Sequence, residues 1–497
     1  MSTIIINTVK KGFFLDSVAL MRFSREISRL EGVEEAALMM GTPSNKEIMK
    51  DAGILTEEGT GAAPGDLIIG IRAVNRDVAE RALEKSGKLL EGSSKGDKKG
   101  EAWRPKTLSA AVKSDPQASL ALISVAGEFA VSEARKALNE GLNVMIFSDN
   151  VPLSDEIQLK EEARELGLLV MGPDCGTAII DGVPLAFANN VNRGDIGIVG
   201  ASGTGMQEIS CLISRGGGGI SQAVGVGGRD LKEEVGGIST LMALDALEQD
   251  PATRHIVLVS KPPSVSVVSR IVEKVKMSEK SFTVCFLGMT DLELPENATF
   301  APTLRDAALS ALGGPIEGED FDPVRLAVRP PEGRKGVAGL FSGGTLCAEA
   351  QFVFCNEGEK VCSNVAIPGA VPLSAASEEH RFIDLGDDEH TCGRPHPMIE
   401  PAVRDELVYS TILDKRVGVI LVDLVLGWGA HEDPAGHLLS GLGSTGNGRP
   451  VLIASVTGTD QDIQNRSSQV QRLQEAGILV APSNADAALL ALACLEK

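Results

Sequence analysis

Two short turns rich in serine, glycine and threonine are the strongest candidates for a chemical site in this sequence. Each follows an apolar run typical of a buried strand and precedes a segment with helical periodicity. A strand that enters a helix in this way leaves backbone N–H groups free, and the helix dipole adds roughly half a positive charge there. We predict an anion site, most often for phosphate, with plain N-capping by the serines as the alternative. The residues are Ser202, Gly203, Thr204 and Gly205 in the first turn and Ser342, Gly343, Gly344 and Thr345 in the second.

The two turns also look like copies of one motif. Ser202 pairs with Ser342 in this interpretation, and a glutamate follows in each helical segment, at Glu208 or Glu349. If two such domains face each other, both helix ends can point at one phosphoryl group. The repetition therefore favours a functional role over simple capping.

A second candidate site is the irregular stretch 384–397, which combines several acidic residues with Arg394, His390 and His396. A guanidinium can bind a carboxylate or phosphate with two parallel hydrogen bonds, and histidines transfer protons near neutral pH. We predict these three residues as catalytic, with His396 protonating a leaving nitrogen. An acidic surface loop with an internal ion pair is the alternative. The spacing matches no strong metal motif, so no metal site is predicted.

A third group follows an apolar run that ends at 171. It consists of Asp174, Cys175, Gly176 and Thr177, joined by Arg229 from a glycine-rich turn at 225–230. We predict that these residues face the substrate, although structural turns would explain both segments. Cys175 is a poor candidate nucleophile because no histidine is near it in sequence. His431 and His437 are six residues apart around a proline, so they do not form a helical zinc motif.

The elements that must position these residues follow an α/β pattern. Residues 1–90 read as an N-terminal α+β domain, and 91–118 as a linker. Strands and helices then alternate at the spacing of parallel βαβ units, first over 119–193. From residue 194 the chain reads as two copies of one flavodoxin-like domain, at 194–313 and 336–497, separated by a linker at 314–335.

Composition excludes several classes of function. The chain has 497 residues and a net charge of −21, which disfavours nucleic-acid binding, and aromatic residues make up only 3%. The eight cysteines form no C-x-x-C pair, which is typical of a reducing compartment. No signal peptide and no apolar run of about 18 residues is evident. We expect a cytoplasmic protein without a membrane partner.

The same residues resemble the succinyl-CoA synthetase superfamily of ADP-forming acyl-CoA ligases. The stretch 143–177 resembles part of that family's Rossmann-like CoA-binding domain, with 172–176 at its Gly-Pro-Asn-Cys-Pro-Gly turn. Residues 196–208 and 336–349 resemble its α-chain and β-chain ligase-CoA domains. The whole length is most similar to the FdrA family, on the segments 39–43, 147–150, 227–230 and 393–397.

The departures from the ligase pattern direct the functional prediction. The family's phosphorylated histidine would follow Gly288, but 290–303 contains no histidine, and the layout has no place for an ATP-grasp domain. The FdrA resemblance implies a subunit of oxamate carbamoyltransferase, which converts oxalurate and phosphate into oxamate and carbamoyl phosphate in allantoin degradation. An ADP-forming acyl-CoA synthetase or its subunit is the alternative, and a non-catalytic scaffold is the third. No cofactor is required, phosphate or carbamoyl phosphate is the expected ligand, CoA is an alternative ligand, and other subunits are expected partners.

Overall fold

The chain forms two compact units in a computed structural model that describes residues 3–13, 15, 17–95, 105, 107–289, 292–316, 318–373, 380–391, 395–442 and 448–497. One unit contains Met1–Gln117 with Thr391–Pro395, and the other contains Ala118–His390 with His396–Lys497.

The first unit is the predicted α+β domain. Its three-stranded antiparallel sheet has the order β1-β3-β2. Alternation along β3 sends Ile69 and Ile71 to one core and Ile68 to the other, as the two-residue period of a strand requires. The elements are β1 (Ile4–Lys10), α1 (Ser17–Ser28), β2 (Val33–Met40), α2 (Pro43–Asp51), α3 (Glu57–Thr60), β3 (Leu67–Ala73), α4 (Arg76–Lys95) and α5 (Leu108–Ser114).

Helical structure extends into the predicted linker 91–118. Helix α4 continues to Lys95, and α5 begins after Thr107, whose hydroxyl accepts a hydrogen bond from the Ala110 N–H at 3.2 Å. This is an ordinary helix cap, which the glycine and lysine content of the segment obscured.

The second unit begins with a small parallel sheet in the order β4-β5-β6, covered by two helices. The parallel βαβ pattern predicted for this region is present in its simplest form. The elements are β4 (Leu120–Ile123), α6 (Gly127–Asn139), β5 (Asn143–Ile146), α7 (Leu153–Leu166) and β6 (Val170–Met171).

A seven-stranded sheet follows, in the order β13-β12-β11-β9-β10-β7-β8. Its five parallel strands have the flavodoxin-like order 2-1-3-4-5, and the antiparallel hairpin β7–β8 extends one edge. The hairpin precedes residue 194 but belongs to this sheet. The elements are β7 (Thr177–Ile180), β8 (Val183–Ala186), β9 (Arg193–Gly200), α8 (Gly203–Arg215), β10 (Ile220–Gly225), α9 (Ile238–Gln249), β11 (His255–Ser260), α10 (Val265–Met277), β12 (Ser281–Phe286), β13 (Ala298–Phe300) and α11 (Leu304–Leu312).

The last sheet is parallel throughout, in the order β16-β15-β17-β14-β18-β19-β20. It repeats the flavodoxin-like order, but β17 is inserted between the first and second strands of the motif. The segment before it, predicted as a linker, contains the short helix α12 (Pro323–Leu326). The other elements are β14 (Gly336–Phe341), α13 (Gly344–Asn356), β15 (Val361–Ser363), β16 (Val371–Pro372), β17 (His380–Asp384), α14 (Asp388–Thr391), α15 (Ala402–Ile412), β18 (Val417–Val425), α16 (Pro434–Gly441), β19 (Val451–Thr457), α17 (Arg466–Glu475), β20 (Leu479–Ala481) and α18 (Asn484–Leu495).

The repeated domains share one core, to which both sheets and helices α8, α11, α13 and α18 contribute. Two buried glutamates each accept a hydrogen bond from the other copy of the domain. Glu208 on α8 accepts a hydrogen bond from the Asn484 N–H at the start of α18, at 3.1 Å. Glu349 on α13 accepts one from the Leu304 N–H at the start of α11, at 2.6 Å. Each glutamate thus satisfies a free N–H at a helix end of the other copy.

Burial raises the pKa of Glu349 to about 8 from its ordinary value of 4.5. The folded chain therefore binds more protons than the unfolded chain between these values, and this group's contribution to stability is lost as pH rises through about 8. We expect the free energy of unfolding to decline between pH 5 and pH 9 less steeply in Glu349→Gln than in the parent, as measured by urea denaturation. Equal slopes for the two proteins would contradict the assignment.

Candidate functional site

The two predicted turns lie at the switch points of the two flavodoxin-like sheets, where ligands bind in this class of fold. In the first, Ser202 is the N-cap of α8, and its hydroxyl accepts a hydrogen bond from the Gly205 N–H at 3.1 Å. The N–H groups of Gly203 and Thr204 have no acceptor among the described residues. This turn therefore combines the capping role with open donors.

The second turn differs from the first by one position. Helix α13 begins at Gly344, and its N-cap is Gly343, which has no capping side chain. Ser202 therefore aligns with Gly343, and the predicted pairing of Ser202 with Ser342 is wrong. The extra glycine displaces the second serine by one residue, while Glu208 and Glu349 stay in register with the helices.

The structure brings the two turns into direct contact. The hydroxyl of Ser202 lies 2.5 Å from that of Thr345, and both side chains are buried. The residues therefore form one cluster, although they are far apart in sequence.

Part of the second turn already binds an anionic side chain of the protein. The buried carboxylate of Asp423, on β18, accepts hydrogen bonds from the N–H groups of Ser342 and Gly343 at 2.6 and 2.7 Å. The N–H groups of Gly344, Thr345 and Leu346 are without an acceptor among the described residues. Asp423 was not among the predicted site residues, although a charged residue inside the apolar strand 417–425 is a usable signal.

A second missed carboxylate, Asp384, stands at the end of β17 beside the same turn. A Cβ atom on Gly344 would lie 2.4 Å from Asp384 Oδ2, so glycine is needed for this approach. Burial raises the pKa of Asp384 to about 6, against the lowering effects of Lys261 and the Gly386 N–H. This carboxyl group can therefore exchange a proton near neutral pH.

The His396 imidazole also lies beside the second turn, close to Asp384. A Cβ atom on Gly386 would lie 2.5 Å from His396 Nε2, 2.8 Å from the Ser342 carbonyl oxygen and 3.3 Å from Asp384 Oδ1. The Met398 N–H donates to His396 Nδ1 at 3.2 Å, which places the ring proton on Nε2. Burial lowers the pKa of His396 to about 4, so the ring is neutral at pH 7. A neutral ring at pH 7 does not favour the predicted role of His396 in protonating a leaving nitrogen, and that role stays a prediction.

His390, another predicted catalytic residue, makes no hydrogen bond to a member of this cluster. His390 lies on α14, half-buried, and its imidazole makes no hydrogen bond to a described residue. Arg394 lies outside the described residues, so the predicted role of its guanidinium stays a prediction.

The residues predicted to face the substrate differ in burial and in their contacts. Cys175 is buried, burial raises the pKa of its thiol to about 12, and it is therefore no nucleophile. Thr177 begins β7 and donates to the Phe187 carbonyl at 2.7 Å, and its hydroxyl is next to Gly203. Gly176, between them, is half-buried. The side chain of Asp174 is open to solvent, yet surrounding protein and the carboxylates of Asp149 and Asp388 raise its pKa to about 6.

Arg229 has a structural partner. Its guanidinium pairs with Glu156 at 2.8 Å and donates to the Val151 carbonyl at 2.8 Å. Behind it, the fully buried Lys160 pairs with Glu156 at 2.9 Å and Asp230 at 2.7 Å. These charges join α7 to the glycine-rich turn, so the structure favours the structural-turn interpretation of Arg229.

A further buried network supports Asp423 from the opposite side. The Arg404 guanidinium donates to the Asp423 carbonyl at 2.5 Å and pairs with Asp405. Asp405 in turn lies 2.6 Å from His437 Nδ1. Sequence periodicity contained no signal for this network, because its members come from α15, β18 and α16.

No group of three potential metal ligands occurs among the described residues, and none of their helices is long and apolar enough to cross a membrane.

Three family models match the chain. Residues 340–494 match CoA-ligase, residues 191–288 match the CoA binding domain, and residues 1–105 match "AllF, heavy metal-associated domain". The CoA-binding match covers β9 to β12, which the sequence analysis compared with a ligase domain. Residues 1–105 contain neither cysteine nor histidine, so this segment has no thiolate or imidazole ligand for a heavy metal.

Relatives that match all or part of the chain support the same assignment. Uncharacterized protein YahF of Escherichia coli K12 is 42% identical over 504 residues, and the match covers 97% of each chain. Succinate–CoA ligase [ADP-forming] subunit alpha 1 of Archaeoglobus fulgidus is 26% identical over 49% of this chain and 82% of the relative. The SauD subunit of an ADP-forming sulfoacetate-CoA ligase from Bilophila wadsworthia is 27% identical, over 35% and 60% of the respective chains. The chain therefore belongs to the succinyl-CoA synthetase-like superfamily.

Proposed function

We propose that the chain is an FdrA-type subunit of a cytoplasmic carbamoyltransferase that acts on oxalurate and phosphate to give oxamate and carbamoyl phosphate. The observation that carries this proposal is the contact between the starts of α8 and α13, where Ser202 and Thr345 meet at 2.5 Å. The match of residues 1–105 to the AllF domain supports a place in allantoin degradation.

The chemistry of the two helix ends suits phosphate. Four N–H groups without described acceptors, from Gly203, Thr204, Gly344 and Thr345, lie at the two N-termini. Helix N-termini bind phosphate through such donors and through the helix dipole. A phosphate held there would be positioned to attack a carbamoyl carbon. Asp423 accepts hydrogen bonds from two further donors, the N–H groups of Ser342 and Gly343, so these are not available to a phosphate.

The positions of the histidines distinguish this proposal from ligation. The six histidines are at 255, 380, 390, 396, 431 and 437, and none lies in the stretch 290–303, where the ligase pattern has its phosphorylated residue. His255 and His380 begin strands and contact Thr283 and Glu359. His396 is neutral and half-buried beside the second turn. A covalent phosphohistidine is thus not part of the proposed reaction.

An ADP-forming acyl-CoA synthetase subunit is the second candidate. The CoA-ligase match over 340–494 and the relatives named as ligase subunits favour it. In that case CoA would be a ligand and an ATP-binding partner subunit would be required.

The deciding experiment uses the chain copurified with its natural partners. With oxalurate and phosphate we expect carbamoyl phosphate and oxamate in equal amounts, and with γ-labelled ATP we expect no acid-labile phosphoprotein. Formation of acyl-CoA from ATP, CoA and a carboxylic acid, together with histidine labelling, would replace the transferase by the ligase.

A further inference from the structure

Asp384 Oδ1, His396 Nε2 and the backbone carbonyl oxygen of Ser342 meet at one point beside the start of α13, next to Gly386. The three groups come from β17, the segment before α15 and the turn after β14, so only the tertiary fold assembles them. The Ser342 hydroxyl is buried, with 1% of the residue exposed, and has no hydrogen-bond partner among the described residues. Burying a hydroxyl without a hydrogen-bond partner costs free energy unless a ligand or a water molecule supplies that partner.

We propose that Asp384 is the proton-transferring group of the phosphate site and that the neutral His396 Nε2–H is a hydrogen-bond donor to the bound oxyanion. The proposal rests on the proposed carbamoyl transfer, and it adds two residues with defined roles. Ser342 completes the site by donating its hydroxyl proton to the same anion.

The proton balance of the reaction requires such a group. A phosphate oxygen of HPO₄²⁻ forms a bond to the carbamoyl carbon of oxalurate, and the bond from that carbon to the nitrogen of the oxamate moiety breaks. The phosphate loses its proton and the leaving nitrogen gains one, while total charge is unchanged. Asp384 can accept the phosphate proton and return it to the nitrogen, so no other reactant is consumed.

The surroundings give Asp384 the right properties for this exchange. Lys261 and the Gly386 N–H favour the carboxylate, whereas burial, Asp387 and Asp423 favour the neutral acid, and the resulting pKa is about 6. His396 has a pKa of about 4 and so does not change its charge above pH 5. Of Asp384 and His396, Asp384 is therefore the one that titrates between pH 5 and pH 8.

Sulfate binding tests the proposal without any assay of activity, because sulfate is a dianion throughout this pH range. We expect the affinity of the purified parent chain for sulfate, measured by calorimetry, to fall at least about fivefold from pH 5 to pH 8 as Asp384 ionises. Asp384→Asn should bind sulfate equally at both pH values and more tightly than the parent at pH 8. Asp388→Asn is the matched control, since it removes an exposed carboxylate four residues away and should keep the parent's dependence.

Two results would overturn the assignment: no sulfate binding by the parent, or the same pH dependence in Asp384→Asn as in the parent. The assembled enzyme then separates the two proposals. If it forms no carbamoyl phosphate, the proposed function fails, whatever the sulfate result. If it is active, Asp384→Asn should lower kcat at least about hundredfold and Asp384→Glu should restore part of it. If Asp384→Asn keeps the kcat and the pH profile of the parent, the role inferred for Asp384 is wrong, while the proposed function is unaffected.

Discussion

Replacing Lys160 by methionine should lower the free energy of unfolding by about 3–5 kcal/mol, because it leaves two buried carboxylates without their cation. The ammonium group lies within 2.9 Å of Glu156 and 2.7 Å of Asp230 and also donates to the Val226 carbonyl at 3.2 Å. All three charged side chains are fully buried. Urea denaturation followed by circular dichroism would measure the loss.

The chain offers a matched control in Lys88, which pairs with Glu84 four residues earlier at 2.8 Å on an exposed helix face. Exposed pairs of this kind are screened by water and contribute little. Lys88→Met should therefore unfold like the parent. Equal denaturation midpoints for Lys160→Met and Lys88→Met would show that the buried cluster does not hold α7 to the glycine-rich turn.

Asp423→Ala should cost about 2–6 kcal/mol, since two buried N–H donors would lose their acceptor at roughly 1–3 kcal/mol each. The donors belong to Ser342 and Gly343, so the start of α13 should also lose its fixed geometry. Hydrogen exchange of the amides in the segment 342–345 would report this local effect, and chemical denaturation the global one.

Asp423→Asn separates the hydrogen bonds from the change in shape. Asparagine keeps one acceptor oxygen but presents an NH₂ group to the second donor, so its loss of stability should fall between those of the parent and Asp423→Ala. If both variants lie within about 1 kcal/mol of the parent, Asp423 does not organise this turn.

The predicted α/β fold is confirmed, because its signal is local and repeated. Apolar runs such as 336–341 and 417–425 alternate with helical segments, and glycine-rich turns separate them. The alternation of apolar runs did not predict that β17 is inserted between two strands of the motif. Strand order depends on the crossovers between strands, and periodicity carries no information about them. Helix α5 was not predicted for a different reason. The segment around it is poor in apolar residues, and the only local signal for the helix is its N-cap, Thr107.

For the candidate site, the sequence by itself determined the turns. The residues Ser202 to Gly205 and Ser342 to Thr345 are recognisable because a strand, small residues and a helix must follow one another along the chain. The tertiary structure alone decided what surrounds them. Asp384, Asp423 and His396 come from separate elements, and burial shifts the pKa of each. The same packing paired Arg229 with Glu156 and enclosed Cys175. Residue type and spacing determine which backbone donors a segment can offer, but the electrostatics of a site depend on long-range contacts and on exclusion of water, which only the folded chain establishes.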